Sequence, residues 1–318
     1  MSEGLVVLTG ANGFIGSTLM HLLRERSREF RPIVRQRCGL ARSVAVGEIG
    51  PLTEWSTVLQ RADSVVHMAA RVHIMRDEAA DPLAEFRRVN VEGTLNLARQ
   101  AAKAGVKRFV YLSSIKVNGE QTLPGQFFTE EDVPAPLDPY SISKYEAEEG
   151  LRNLAQKTGI EVVIIRPPLV YGPGVKANFL NMMHWLYKGV PLPLGAIHNR
   201  RSLMALDNLV DFVITCLDHP AAANQVFLVS DGEDLSTTEL LRRMGLALGR
   251  PARLIPVPVS LLTAGAALLG RRDMAQRLCG SLQVDISKVR TLLGWKPPIS
   301  VDEVLRRTAQ GFLHETTL

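Results

Sequence analysis

The sequence has little cysteine, no long apolar run and no large excess of charge of either sign, and each shortage narrows what the chain can be. Its three cysteines, Cys38, Cys216 and Cys279, lie far apart. They match no metal-ligand spacing and cannot all pair, so neither a disulfide scaffold nor a metal site is expected. The amino-terminal apolar run Leu5-Val6-Val7-Leu8 stops at Thr9-Gly10. That is too short for a secretory signal, and a cytoplasmic protein is expected. The most apolar stretch, residues 257–269, contains Pro258, Ser260, Thr263 and Gly265 and is followed by Arg271-Arg272. It falls short of the ~20 residues that span a bilayer. A buried or domain-edge helix is expected there, with a helix lying on a membrane surface as the lesser alternative. The net charge of +5 suits anionic ligands but is too mild for a nucleic-acid binder. What remains is an ordinary globular balance of 46% apolar and 22% charged residues over 318 positions, enough for two domains at ~150 residues each.

Short β-branched runs alternate with longer helical patterns. Residues 5–8, 32–35, 64–67, 108–112 and 161–166 read as buried strands. Residues 14–27, 82–104 and 139–157 between them have helical periodicity, and Asp81-Pro82 and Asp138-Pro139 are caps followed by first-turn prolines. Alternation of this kind predicts a parallel sheet with helices on both faces. After residue 166 prolines and glycines cluster, at Pro167-Pro168, Gly172-Pro173-Gly174 and 191–195. A smaller, irregular second domain is expected. The division is 1–173, with 203–230 returning to the first domain, and mainly 174–318 for the second.

Thr9-Gly10-Ala11-Asn12-Gly13-Phe14-Ile15-Gly16 lies between the first strand and the first helix. Gly10 permits a tight turn, Gly13 lets a pyrophosphate approach the backbone, and Gly16 allows close helix packing. The helix start then offers free N–H groups to phosphate. The fold class is therefore α/β: a Rossmann-type doubly wound parallel sheet with a smaller, interleaved carboxy-terminal substrate domain. At the end of the second strand an acidic residue would hold an adenosine ribose and favour NAD(H). The stretch Ile33-Val34-Arg35-Gln36-Arg37 has no carboxylate. Arg35 suits a 2′-phosphate, so NADP(H) is favoured and NAD(H) is the alternative.

Tyr140 and Lys144 are four apart at the start of the third helix and share a face. An ammonium beside a phenol lowers its pKa from ~10, which prepares the pair for acid–base work. The spacing alone is common. Its context is Tyr111-Leu112-Ser113-Ser114, which ends a strand at the carboxyl edge where such sheets bind ligands. Ser114 is placed to hydrogen-bond the oxygen that Tyr140 protonates, or to cap a turn.

These residues together resemble the extended short-chain dehydrogenase/reductase superfamily, in its nucleotide-sugar epimerase/dehydratase branch. Further segments agree with the resemblance. Gly47-Glu48-Ile49 resembles the adenine contact, which implies roles for Glu48 and Ile49. Val66-His67-Met68-Ala69-Ala70 resembles the turn beside the cofactor ribose, which implies Ala69 and Ala70. Val89-Asn90-Val91-Glu92-Gly93-Thr94 resembles the helix whose asparagine, here Asn90, supports the active site. Arg166-Pro167-Pro168-Leu169-Val170-Tyr171-Gly172-Pro173-Gly174 resembles the crossing into the substrate domain, with Pro167 beside the cofactor. Leu292-Leu293-Gly294-Trp295-Lys296-Pro297 resembles the carboxy-terminal signature. The similarity runs over residues 4–310. His67 reads as a satisfied core residue.

The resemblance implies an NAD(P)-dependent enzyme with a UDP-sugar substrate and a catalytic set of Ser114, Tyr140 and Lys144. Relatives that catalyse 4,6-dehydration carry an Asp-Glu pair where this chain has Ile115 and Lys116, so that reaction is disfavoured. NADP(H)-dependent 4-keto reduction of a UDP-linked hexose, an N-acetylated 6-deoxy sugar of bacterial surface-polysaccharide synthesis, is the leading expectation. A UDP-hexose or UDP-N-acetylhexosamine 4-epimerase with bound NAD is the alternative, and a non-catalytic cofactor-binding regulator a remote third. For the substrate, Asn178 and Arg201 match diphosphate contacts, and Leu192-Pro193-Leu194 resembles the backbone strand that holds uracil. Leu169 stands where many relatives have asparagine, and an Arg-x-Gly-Asp segment is missing, with Arg277 as a stand-in. Lys116, Arg71 and His73 are candidates to reach the sugar. Helices 82–104 and 139–157 form a dimerising bundle in many relatives, so a homodimer is an expectation.

Overall fold

A computed structural model describes residues 4–72, 81–270 and 272–317. β1 (Leu5–Thr9) leads into α1 (Phe14–Glu25), β2 (Phe30–Val34), the short β3 (Val44–Ala45) and β4 (Ala62–His67). α2 (Pro82–Phe86) starts where the Asp81 carboxylate accepts the Ala84 amide at 3.0 Å. It runs through a π-helical stretch (Arg87–Gly93) into α3 (Thr94–Lys103). β5 (Arg108–Leu112) passes by a 3-10 turn (Ile115–Val117) to α4 (Pro139–Thr158) and β6 (Glu161–Arg166). Then come β7 (Leu169–Tyr171), α5 (Ala177–Tyr187), β8 (Arg201–Ala205), α6 (Leu206–Asp218), β9 (Val226–Leu228) and β10 (Asp234–Leu235). The chain closes with α7 (Thr237–Ala247), α8 (Val259–Leu268), α9 (Arg272–Cys279), α10 (Ser287–Leu293) and α11 (Val301–Thr317).

Seven strands form one sheet in the order β3-β2-β1-β4-β5-β6-β9, parallel throughout. The middles of its strands are apolar because both faces are covered, and Asp63, Arg108, Glu161 and Arg166, which are charged, lie toward the strand ends. Alternate side chains go to opposite faces. Val6, Leu8, Val66, Val110, Val163 and Ile165 join α1 and α6 in one core. Val7, Val65, Phe109, Tyr111, Val162 and Ile164 join α3 and α4 in the other. The sheet is thus the expected doubly wound α/β layer. After crossing into a second, three-stranded sheet, β10-β8-β7, the chain returns: α6 packs on α1 and β9 pairs with β6. Trp295, of the carboxy-terminal signature, donates its indole N–H to Asp211 at 2.8 Å and packs edge-on against Phe212.

The second sheet shares a core with α5, α7 and α11. Phe14, at the first turn of α1, packs against both this core and the first. The apolar stretch 257–269 forms α8. Of the expected buried or domain-edge helix the buried half is corrected, since not one of its residues is buried. The two prolines Pro256 and Pro258 turn the chain out of the second core immediately before it.

Phe227 is fully buried in β9 and packs edge-on against Phe212. Replacing it with alanine is expected to cost about 3–5 kcal/mol of unfolding free energy in urea titrations. Leu268→Ala on α8, 89% exposed, is expected to change it by less than about 0.5 kcal/mol.

Candidate active site

The glycine turn lies between the carboxyl ends of β1 and β4, where the strand order reverses. Gly10 has φ +71°, a conformation that side chains resist. A Cβ on Gly16 would sit 2.2 Å from the Gly10 carbonyl oxygen, so only glycine lets α1 approach this closely. Gly13 is extended at the helix cap and brings no side-chain hydrogen bond to it. The first amides of α1 are therefore left for a ligand. Asn12 and Gly13 are exposed, and Phe14 and Ile15 are half-buried. This narrow, amide-lined turn fits a dinucleotide pyrophosphate.

Around it stand the other expected cofactor contacts. Arg35 follows β2, is exposed, and forms no ion pair among the described residues. Glu48 is exposed with its carboxylate 3.5 Å from Arg88, whereas Ile49 is buried in the core beside Gly93, so only its backbone can face a ligand. The Ala69 amide donates to Thr9 Oγ1 at 3.3 Å, and Ala70 follows, half-buried. Pro167 is buried, and its carbonyl accepts the Ile115 amide at 3.0 Å. That bond ties the crossing loop to the turn that carries Ser114.

α4 begins with a capping box in which the Asp138 carboxylate accepts the Ser141 amide at 2.7 Å. This fixes the register of Tyr140 and Lys144 on the helix. Lys144 is fully buried, and its Nζ donates to the Leu112 carbonyl at 2.8 Å. The ammonium lies 4.5 Å from the Tyr111 ring centroid and 5.9 Å from that of Tyr140. Ser114 is two residues beyond Leu112. Its Oγ accepts the Lys116 amide at 3.3 Å as cap of the 3-10 turn, leaving its O–H hydrogen to donate. The structure thus brings the β5 terminus that carries Ser114 to the Lys144 ammonium.

Burial dominates the electrostatics. It lowers Lys144 to about 7, against the opposing pull of Glu148. Tyr140 moves upward, by burial and then by the Asp138 charge. The expected depression of the phenol by Lys144 is therefore corrected for the protein alone, because loss of solvation outweighs a partly neutral amine. His67 falls to about 3, through burial and the Lys144 charge. It stays neutral and bridges Thr9 and Thr94 at 2.7 and 2.9 Å, linking β1 and β4 to the helix behind them.

The sequence reading missed the carboxylate beneath this site. Glu148 is fully buried one turn below Lys144. It accepts Ser113 Oγ at 2.5 Å and Arg166 Nη2 at 2.5 Å, and Arg166 Nη1 donates to Asn118 at 2.9 Å. Two signals pointed to it: the four-residue spacing Lys144-Glu148-Arg152, and an arginine directly after the apolar run Val162-Val163-Ile164-Ile165.

Three expected ligand contacts have protein partners in the structure. The Lys116 ammonium is held by Asp138 at 2.5 Å and Glu120 at 3.3 Å. Asn90 is likewise occupied by protein groups. Both its N–H bonds are spent, on the Arg71 carbonyl and Ser143 Oγ, and its oxygen accepts the Arg71 amide. It pins the loop after β4 to α4 from within the π-helical stretch. Leu192 has its amide and carbonyl paired with Arg253 and Ile255, and the Leu194 carbonyl accepts Thr238 Oγ1 at 2.6 Å, leaving the Leu194 amide as the backbone candidate. Asn178 is exposed in the first turn of α5, where the cap residue Lys176 makes no side-chain hydrogen bond. The Arg201 guanidinium donates to the carbonyls of Arg277 and Gly280 at 3.1 Å each, and the Arg277 side chain is exposed. These two arginines are brought together. Arg71 has its guanidinium 5.5 Å from the Phe86 ring centroid, and His73 lies outside the described residues.

A doubly wound sheet with an amide-lined glycine turn, and a tyrosine, lysine and serine at its carboxyl edge, defines a nicotinamide-dinucleotide enzyme. Residues 6–230 match the NAD dependent epimerase/dehydratase family, and the chain belongs to that family. It is 49% identical over 314 residues to a UDP-glucose 4-epimerase of Vibrio cholerae, covering 97% of this chain and 95% of that one. It is 27% identical to an N-acetyl-alpha-D-glucosaminyl-diphospho-ditrans,octacis-undecaprenol 4-epimerase of Escherichia coli O157:H7, covering 97% and 96%. Among solved structures, UDP-glucuronic acid 4-epimerase from Bacillus cereus in complex with NAD superposes with a TM-score of 0.77 at 20% identity, over 98% and 99% of the chains.

With Lys144 depressed in the folded chain, the unfolded state binds the extra proton between about pH 7 and the ordinary lysine range. Stability is therefore expected to rise with pH through this window, by up to about 1 kcal/mol per unit, and to level off below it. Urea titrations of the wild type and Lys144→Met at pH 7, 8 and 9 measure this. The slope is expected in the wild type and absent in the variant.

Proposed function

We infer that the chain is a UDP-hexose or UDP-N-acetylhexosamine 4-epimerase that works with a retained NAD. The observation that carries this reading over the NADP(H)-dependent reduction first expected is the whole-length similarity to a UDP-glucose 4-epimerase. The site supports it against dehydration: Tyr140 and Lys144 on one helix are its acid–base pair, and where a dehydratase would need an acid pair there are a buried Ile115 and a Lys116 locked to Asp138. Such a set handles one hydroxyl and no more.

Gly10, Asn12, Gly13 and the first amides of α1 hold the cofactor pyrophosphate. Arg35, Glu48, the Ile49 backbone, Ala69, Ala70 and Pro167 border the rest. When bound, the oxidised nicotinamide supplies a hydride acceptor and a positive charge that favours the Tyr140 phenolate. With the cofactor in place, Tyr140 would take the proton from the 4-hydroxyl and later return it to O4, and the Ser114 O–H and the Lys144 ammonium would steady the charge on the oxygens. Inversion at C4 requires the hexose to present its other face before that return. Asn178, Arg201 and Arg277 grip the diphosphate and the Leu194 backbone the uracil, so that only the hexose turns.

A second reading has its own observation. Arg35, exposed and free of ion pairs among the described residues, suits a 2′-phosphate and hence NADP(H)-dependent 4-keto reduction. Purified protein given UDP-glucose and UDP-N-acetylglucosamine without added cofactor separates the two. Interconversion of gluco and galacto forms with no net change in reduced nicotinamide is expected. Tyr140→Phe is expected to lower kcat about 10²–10⁴-fold with the thermal midpoint retained. No interconversion, together with stoichiometric NADPH consumption on UDP-4-keto-6-deoxy-N-acetylglucosamine, overturns the epimerase reading in favour of reduction.

A further inference from the structure

α8 is apolar apart from Ser260 and Thr263 and has no buried residue. Leu261, Leu268 and Leu269 are 63%, 89% and 76% exposed, and no residue from 254 to 270 carries a charge. Among the described residues its main neighbour is α9. A helix this apolar stays in water only if something covers it. Its charge surroundings say what. Arg250, Arg253, Arg271, Arg272 and Arg277 flank it against a single carboxylate, Asp273, so residues 250–277 hold a net +4 of the chain's +5. Arg250, Arg253 and Arg277 are exposed. A second copy of this chain would bring the same positive charge against itself, whereas an anionic surface complements it. At ten residues the helix is about 15 Å long, half of what crosses the hydrocarbon layer. No helix among the described residues is long and apolar enough to cross a membrane.

From this combination we propose that α8 docks the enzyme on the surface of an anionic phospholipid bilayer. The helix lies in the plane of the interface, with its leucines among the acyl-chain ends and Arg250 and Arg253 on lipid phosphates. α9, on which α8 packs, has its last carbonyls held by Arg201, so the docked hairpin joins the second core directly. Docking is independent of whether the chemistry is epimerisation or reduction.

Flotation of the full chain with vesicles of phosphatidylcholine, with and without about 30% phosphatidylglycerol, tests it. Binding is expected to the anionic vesicles, at least about tenfold weaker to neutral ones, and reduced in about 0.5 M NaCl. The triple change Leu261→Gln, Leu268→Gln, Leu269→Gln is expected to abolish flotation, and Arg250→Gln with Arg253→Gln to weaken it about tenfold. Turnover should be unchanged in both. Hydrogen exchange of the wild type on anionic vesicles is expected to protect residues 259–268, a readout that needs no variant. Three results would each overturn the proposal: wild type that stays unbound, a leucine variant that floats as well as wild type, or concentration-dependent dimers that the leucine changes dissolve while vesicles go unbound.

Discussion

The site depends on one carboxylate placed where carboxylates are rarely found. Glu148 is buried without remainder, and Arg166 and Ser113 surround its carboxylate with donors. Arg166 ends β6, Ser113 follows β5 and Glu148 lies on α4, so the pair ties the two strands to the helix that bears Tyr140 and Lys144. Its charge also opposes the loss of solvation that pushes the Lys144 amine downward. The same group that fixes the helix thereby helps to set the protonation of the ammonium one turn above it.

Other internal polar contacts extend this fixing outward. Asn90 holds the loop after β4 against α4, and the π-helical stretch that carries it is a break in regular winding of the kind that often accompanies functional positions. Asp138 caps α4 with one carboxylate oxygen and binds Lys116 with the other. Burial raises that carboxyl, but the hydrogen bonds from Lys116 and Ser141 outweigh it, and its pKa ends below the ordinary value. The result is a carboxyl edge held by internal polar contacts, where the end of β5 delivers Ser114 and the first turns of α4 carry Tyr140 and Lys144.

The sheet was legible because its strands are short, β-branched and buried on both faces, and because glycine spacing at residues 10, 13 and 16 has a direct steric cause. Tyr140, Lys144 and Ser114 were legible by position along strand and helix. The partners of side chains were not. Sequence could not show that Lys116 and Asn90 face inward to protein groups rather than outward to ligand, since that depends on contacts between segments far apart in the chain. The exposure of α8 was hidden for the same reason. Apolar composition marks a helix that needs cover without saying whether the fold provides it.

The direct test of the central interaction is a double-mutant cycle on Glu148 and Arg166, read by urea unfolding with Glu148→Gln, Arg166→Met and the pair. If the buried ion pair organises the site, each single change costs about 3–5 kcal/mol, and the double change costs well below their sum, because no charge is then left buried alone. Single changes within about 0.5 kcal/mol of the wild type, or strictly additive costs, would contradict the account.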